Sequence, residues 1–226
     1  MLSRSNRTCA ADTEKGGTLR ILLIEPYYGG SHREWADSYR RCSQHDVRLL
    51  TLPAQFWQWR MQGGAVTLAR LYLEQDEQPD VILASDMFDL STFCALIRRR
   101  AAHVPVALYF HENQLTYPQH ARQDFGWRYG FINYASALVA DRIFFNSAFH
   151  RDAFFAALPK MLKHFPDYNE LATVEALRAR AEVLPLGIDL RRYDAQRPAH
   201  AGRAAPPLIV WNHRWDPDKN PEAFFA

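Results

Sequence analysis

Short apolar runs without internal alternation punctuate the chain, and each ends in polar or glycine-rich residues. The first, Leu19 to Glu25 (LRILLIE), runs into Pro26-Tyr27-Tyr28-Gly29-Gly30. A run of this kind suits a strand buried on both faces, as in a parallel sheet. Ser31, with Glu34 three residues on, has the form of a capping box and predicts a helix next. The theme recurs. Asp46 to Leu52 predicts a second strand, Pro79 to Ser85 a third and Val104 to Phe110 a fourth. Arg142 to Phe145 predicts a fifth and Glu182 to Leu186 a sixth. Helices are predicted between them, around Ala65 to Tyr72, Leu90 to Arg100, Phe131 to Val139 and Ala148 to Ala157. The segment from Leu90 ends in Arg98-Arg99-Arg100, which places positive charge favourably against the helix dipole.

Strands alternating with helices at this spacing imply an α/β fold built on a doubly wound parallel sheet. In such sheets ligands bind beyond the carboxyl ends of the strands. Polar groups gather at those ends here: Gly29-Gly30-Ser31-His32, Ser85-Asp86, His111-Glu112-Asn113 and Asn146-Ser147. One such cluster is ordinary loop chemistry; recurrence at the same end of successive strands points to a site. Residues 1–17 are polar, lack the apolar stretch of a secretory signal, and are expected to form a disordered leader. Residues 18–193 form the first domain. Residues 194–207, rich in Pro, Ala and Arg, read as a linker. Leu208 to Asn212 predicts a new strand, and Pro221 is placed as a first helical residue. A lone strand and one helical turn cannot bury a face, so residues 208–226 are expected to be the truncated start of a second domain.

Composition narrows the class. The chain has 226 residues, 48% hydrophobic and 13% aromatic, which supports a packed core and argues against disorder. A net charge of +2 is too small to imply a nucleic-acid partner by itself. Cys9, Cys42 and Cys94 lie far apart, with no second Cys or His at metal-ligand spacing. An odd count without a secretory signal points to a reducing compartment. No apolar run reaches the roughly 18 residues a membrane span requires. The expectation is a cytoplasmic protein with no membrane association, no bound metal and no cofactor.

Few residues carry chemistry by pattern alone. Gly29-Gly30, after a strand and before a helix, lets backbone N–H groups approach an anion, but also fits a plain tight turn. The G-x-G-x-x-G dinucleotide fingerprint is not there. Arg214 and Lys219 lie five residues apart, in the loop His213 to Asn220. They could bracket a diphosphate and stabilise a negative leaving group, or form a solvated pair beside Asp216 and Asp218. His111 follows the fourth strand, as a site residue or as an ordinary loop histidine. Glu112 has no second spaced carboxylate to complete an acid–base pair.

A resemblance sharpens this picture. Val183-Leu184-Pro185-Leu186-Gly187-Ile188-Asp189-Leu190-Arg191-Arg192-Tyr193 resembles the signature that closes the N-terminal domain of retaining GT-B glycosyltransferases of the GT4 type, with Leu186 where that signature has Asn. Gly29-Gly30, His111 and the Arg214…Lys219 loop fall in the order that this family implies. More closely, the runs Glu25 to His32, Pro53-Ala54 with Trp57, Trp59, Arg60 and Met61, Ser85 to Met87, Tyr109 to Pro118, and Trp211 to Pro221 resemble the tRNA-queuosine alpha-mannosyltransferases.

That resemblance implies a GT-B type fold, with a Rossmann-like N-terminal domain and a second Rossmann-like donor domain. It implies transfer of mannose from GDP-mannose, with retained configuration, to queuosine in the tRNA anticodon. Catalytic roles fall on His111, Arg214 and Lys219, and donor contacts on Gly29, Gly30, Arg214 and Lys219. Trp57, Trp59, Arg60, Tyr117, Arg122, Trp127 and Arg128, read as loop residues near the strand ends, become candidates for the tRNA acceptor. Trp57, Arg60, Tyr117 and Arg128 lead that set. The 226 residues alone are expected not to turn over. Two other readings stand beside this one. A GT4-type enzyme for a lipid or cell-envelope glycan would use a membrane-facing helix, for which Phe154 to Phe165 is the candidate, although Pro159 interrupts it. A non-catalytic RNA-binding fragment is the other.

Overall fold

The computed structural model describes residues 17–76, 78–117, 126–194, 209–213, 215 and 219–225. Six strands form one all-parallel sheet. They are β1 (Arg20–Tyr28), β2 (Asp46–Pro53), β3 (Val81–Ser85), β4 (Val106–Phe110), β5 (Arg142–Phe145) and β6 (Ala181–Val183), in the order β2-β1-β3-β4-β5-β6. The helices are α1 (Gly30–Cys42), α2 (Trp57–Leu73), α3 (Leu90–Ala101), α4 (Gly126–Val139), α5 (Ala148–Leu162) and α6 (Thr173–Ala179). Two short ones follow, α7 (Arg191–Asp194) and α8 (Pro221–Phe225). From β1 the chain turns back to β2, and from β3 it moves on to β4. The strand order therefore reverses between β1 and β3, which opens a crevice beyond their carboxyl ends.

The unbroken apolar runs form strands because both faces are covered. On one face Leu22, Ile24, Ile82, Ala84, Leu108, Phe110, Ile143 and Phe145 pack against α2, α3, α4, α5 and α6. On the other, Ile21, Leu23, Val47, Leu83 and Tyr109 pack against Ala36, Trp35 and Tyr39 of α1. The register is continuous through the sheet centre, with Leu22 opposite both Arg48 and Ile82, and Ile82 opposite Val106. Asp89 caps α3 by accepting the backbone N–H of Thr92 at 2.9 Å.

Several sequence expectations need correction. The α1 cap is Gly29, and no side chain bonds the helix start. Gly30 is left-handed at φ 53, so the helix begins one residue before Ser31; the Glu34 carboxylate instead accepts from the Ser38 hydroxyl at 3.2 Å. Trp57, Trp59 and Arg60 lie in the first turn of α2, and Trp127 and Arg128 in that of α4, rather than in loops. Arg122 lies outside the described residues. Pro159 does not interrupt its helix: α5 runs through it to Leu162. An interior proline costs about 3 kcal/mol. Phe154, Phe155, Leu158, Met161 and Leu162 are all buried there, each contributing about 1.5–3 kcal/mol, which outweighs the proline. Those same side chains fill the core and are not available to a membrane; of the segment's large apolar residues Phe165 is exposed. Helix α6 has too short a pattern to be predicted from sequence; it forms because Val174 and Leu177, one turn apart, are buried. Residues 209–212 are not a strand, having no strand to pair with among the described residues. Among the described residues no helix is long and apolar enough to cross a membrane.

Candidate functional site

The crevice between β1 and β3 is floored by acidic and imidazole side chains from four segments. Glu25 is the single charge in the apolar part of β1 and is fully buried. A carboxylate in that position must find partners. Its Oε1 accepts the backbone N–H of Tyr27 at 2.9 Å, and its Oε2 lies 3.1 Å from Nδ1 of His32, in the first turns of α1. The same Oε2 lies 3.9 Å from Nε2 of His111, which follows β4. The two imidazoles face one another with ring centroids 4.5 Å apart. Trp35 closes the floor, stacked on Tyr109 at 5.1 Å and edge-on to His111 at 4.5 Å.

The loops that carry these groups are tied to one another. The His111 backbone N–H donates to Asp86 Oδ1 at 2.9 Å, and the Asn146 side chain donates to the His111 carbonyl at 2.8 Å. Asn133, buried on α4, donates to the Asp86 carbonyl at 3.1 Å and accepts the Gln114 N–H at 2.8 Å. His111 is therefore pinned from β3 on one side and β5 on the other. Asn113 shapes the following turn, its Oδ1 accepting from the N–H groups of Leu115 and Thr116.

Electrostatics divides the two histidines. Burial works against charge on His32, but the hydrogen bond and charge of Glu25, with Asp86 and Glu112 beyond, more than offset it and raise the imidazole to about 9. His32 is an imidazolium at neutral pH. His111 is pushed down to about 3, by burial first and then by the charge of His32 and by His150. It is a neutral imidazole, and its buried Nε2 has no hydrogen-bond partner. Burial, with the nearby Glu112, lifts Asp86 well above the usual carboxylate range; His32 and the His111 N–H oppose this only in part. One ligand atom from each of Glu25, His32 and His111 lies within 4.8 Å of the others, so these three could hold a metal ion. A protonated His32 meets the Glu25 charge equally well. The Glu25–His32 pair is then net neutral, so attraction for an anionic ligand must come from elsewhere. The N–H groups at the start of α1 are one such source.

Of the residues singled out by sequence, the structure brings His111, Gly29 and Gly30 to this crevice. The two glycines are required for different reasons. A Cβ on Gly29 would stand 2.4 Å from Cβ of Ala54, so this residue is packed against the turn after β2. Gly30 needs its left-handed backbone, and a Cβ there would meet open space. Lys219 is half-buried in the turn before α8, while Arg214 lies outside the described residues. Trp57 packs on Tyr129 at 5.1 Å, and Arg128 bonds Gln62 at 2.5 Å. Arg60 donates twice to the Pro53 carbonyl, at 3.1 and 3.2 Å. Tyr117 ends the Asn113 turn, its N–H on the Asn113 carbonyl at 3.1 Å. Sequence reasoning missed Glu25, His32 and Asp86 as members of one cluster. The available signal was a lone carboxylate ending an otherwise apolar buried strand.

Comparison with known proteins agrees with this layout. The chain matches the family described as tRNA-queuosine alpha-mannosyltransferase N-terminal over residues 20–188. That stretch runs from the first residue of β1 past the end of β6 and supplies Glu25, His32, Asp86 and His111. A tRNA-queuosine alpha-mannosyltransferase of Drosophila melanogaster is 32% identical over 209 residues. The alignment covers 89% of this chain and 55% of the relative, so the chain spans about half the length of the curated relative it matches. Since the match takes in the whole sheet and every member of the buried cluster, the chain belongs to the tRNA-queuosine alpha-mannosyltransferase N-terminal family.

Proposed function

We propose that the full-length protein transfers mannose from GDP-mannose to queuosine in a tRNA anticodon, with retained configuration. The observation that carries this reading is the family match over residues 20–188, the stretch that builds the buried crevice cluster. The donor's diphosphate would lie over the start of α1, where Gly30 leaves its backbone open. Arg214 and Lys219 would offset the charge that builds on the departing diphosphate, a type of stabilisation worth on the order of 10²–10³ in rate per group. Neutral His111, held by Asp86 and Asn146, would hydrogen-bond a hydroxyl of the transferred sugar through its unpartnered Nε2. In front-face displacement the leaving diphosphate takes the acceptor's proton, so no paired carboxylates are required. The lipid-acceptor alternative is weakened, because Phe154, Phe155, Leu158, Met161 and Leu162 of its candidate helix are core.

The test is transfer of labelled mannose by the full-length protein. Queuosine-containing tRNA should be labelled, and the same tRNA with guanine at the wobble position should not. Equal labelling of both, or labelling of a lipid extract alone, overturns the assignment.

A further inference from the structure

On the same edge of the sheet, beside the crevice, the first turns of α2 form an open groove lined by Phe56, Gln58, Trp59, Gln62 and Tyr129. Phe56 and Trp59 are 76% and 61% exposed. Phe56 also holds a left-handed backbone, φ 50 and ψ 57, while its carbonyl accepts the N–H groups of Trp59 and Arg60. A bulky residue at positive φ is strained, and an exposed ring gains nothing from burial to offset that strain. Such strain concentrates where a side chain is presented to a ligand.

The indole of Trp59 is seated rather than loose. It lies over Gly63, one turn along the helix, so closely that a Cβ there would stand 2.5–2.8 Å from the ring atoms. The other wall is equally fixed. Gln62 donates to the Tyr129 hydroxyl at 2.9 Å and accepts from Arg128 at 2.5 Å. Arg60 and Arg128 both donate to neutral acceptors, and neither has an acidic partner among the described residues. The Gln58 side chain makes no hydrogen bond among the described residues. Tyr129 packs with Met61 and Met87, and Tyr27 packs against that group while touching His32 edge-on at 6.0 Å. The groove and the crevice therefore share a wall.

Two presented aromatic faces, a primary amide able to read a base edge, and two cations without acids match an unstacked base of an RNA loop with its backbone. We propose that the Phe56–Trp59 groove takes a splayed base of the acceptor RNA's anticodon loop by stacking. The inference rests on the tRNA reading above; of the aromatic candidates named from sequence it keeps Trp59 for stacking, and it adds Phe56. Trp57, which sequence reasoning placed in that role, is committed to packing on Tyr129. Gly63 is a positioning residue that seats the indole.

Three variants of the full-length protein test this: Trp59→Ala, Phe56→Gly and Gly63→Ala. Phe56→Gly removes the ring and relieves the backbone. Gly63→Ala favours the helix while evicting the indole. Each is titrated against a queuosine-containing anticodon stem-loop RNA, with thermal unfolding and sedimentation measured alongside. The expected result is weakening of RNA binding by roughly 10- to 100-fold for Trp59→Ala. Phe56→Gly and Gly63→Ala should weaken it in the same direction without lowering the unfolding temperature. Unchanged RNA affinity in all three, with the unsubstituted protein binding the stem-loop, overturns the groove and leaves the tRNA reading standing. No binding by the unsubstituted protein sinks both. A change of self-association instead of RNA affinity makes the groove a protein interface and overturns the proposal.

Discussion

Glu25→Gln isolates the interaction that organises the crevice. In the native protein His32 sits at about 9, well above its ordinary 6.5. That difference corresponds to roughly 3 kcal/mol of differential interaction between the charged and neutral forms. Burial alone lowers His32; the hydrogen bond and charge of Glu25 are the strongest influences that raise it. Glutamine keeps the shape but loses the charge, so burial prevails and His32 becomes neutral at pH 7. The sign of the stability effect follows from linkage. The folded value is raised above the unfolded one, so this stabilisation is complete below about pH 6.5 and is lost as pH rises through about 9. Native stability should therefore fall across that window, by up to about 1.4 kcal/mol per pH unit from this group. In Glu25→Gln this slope should vanish. Urea unfolding at intervals from pH 6 to 9.5, with the His32 ring followed by NMR, measures both. Parallel stability curves for the two proteins, or a native His32 titrating near 6.5, would refute the reasoning.

Further outcomes are expected elsewhere. Below pH 6.5 the unfolded chain gains protons that His111 and His150, held at about 3 and about 4, refuse when folded, while Asp86 acts in the opposite sense. The two histidines together should take up roughly two protons on unfolding near pH 5.5, a number that Asp86 reduces, readable by calorimetry in buffers of different ionisation heat. Gly29→Val should destabilise by more than 1 kcal/mol, because its side chain meets Ala54; Gly30→Ala should cost about 1 kcal/mol through its left-handed backbone alone, both measured by urea midpoint. Asp89→Ala should cost about 1–2 kcal/mol by loss of the α3 cap. In the full-length protein Arg214→Ala and Lys219→Ala should each lower kcat by on the order of 10²–10³; near-normal turnover in both makes them a solvated surface pair.

Strands β1 to β5 were legible because their apolar side chains pack on both faces and so show no alternation; the sixth was expected at Glu182 to Leu186 but runs over Ala181–Val183, where no residue is fully buried. The helix starts were less so. Ser31 and Glu34 have the letters of a cap, but Gly30 accepts a backbone conformation that moves the start upstream, and no side-chain pattern records that. Pro159 reads as a breaker because its local cost is fixed, while the burial that outweighs it depends on which strands lie beneath. In the site, His111 could be found from its place after a strand. Its dependence on Asp86 and Asn146 could not, because those contacts span 25 and 35 residues and arise only when β3, β4 and β5 align. The Glu25–His32 contact is seven residues apart, but it needs the turn at Gly29 to fold the helix back over the strand.

The lopsided covering of the sheet sets how long the crevice keeps its shape. Five helices bury side chains on one face, and among the described residues only α1 contributes to the other, with Ala36 as its one fully buried position. That helix also carries His32 and Trp35. Free energies of local opening scale with the buried contacts an element makes. Amides of α1 should therefore exchange with solvent sooner than those of α3 or α4. Each such opening separates His32 from Glu25 while the rest of the sheet stays closed. The working lifetime of the site is then that of its least anchored helix, and a ligand resting on the start of α1 would lengthen it by mass action.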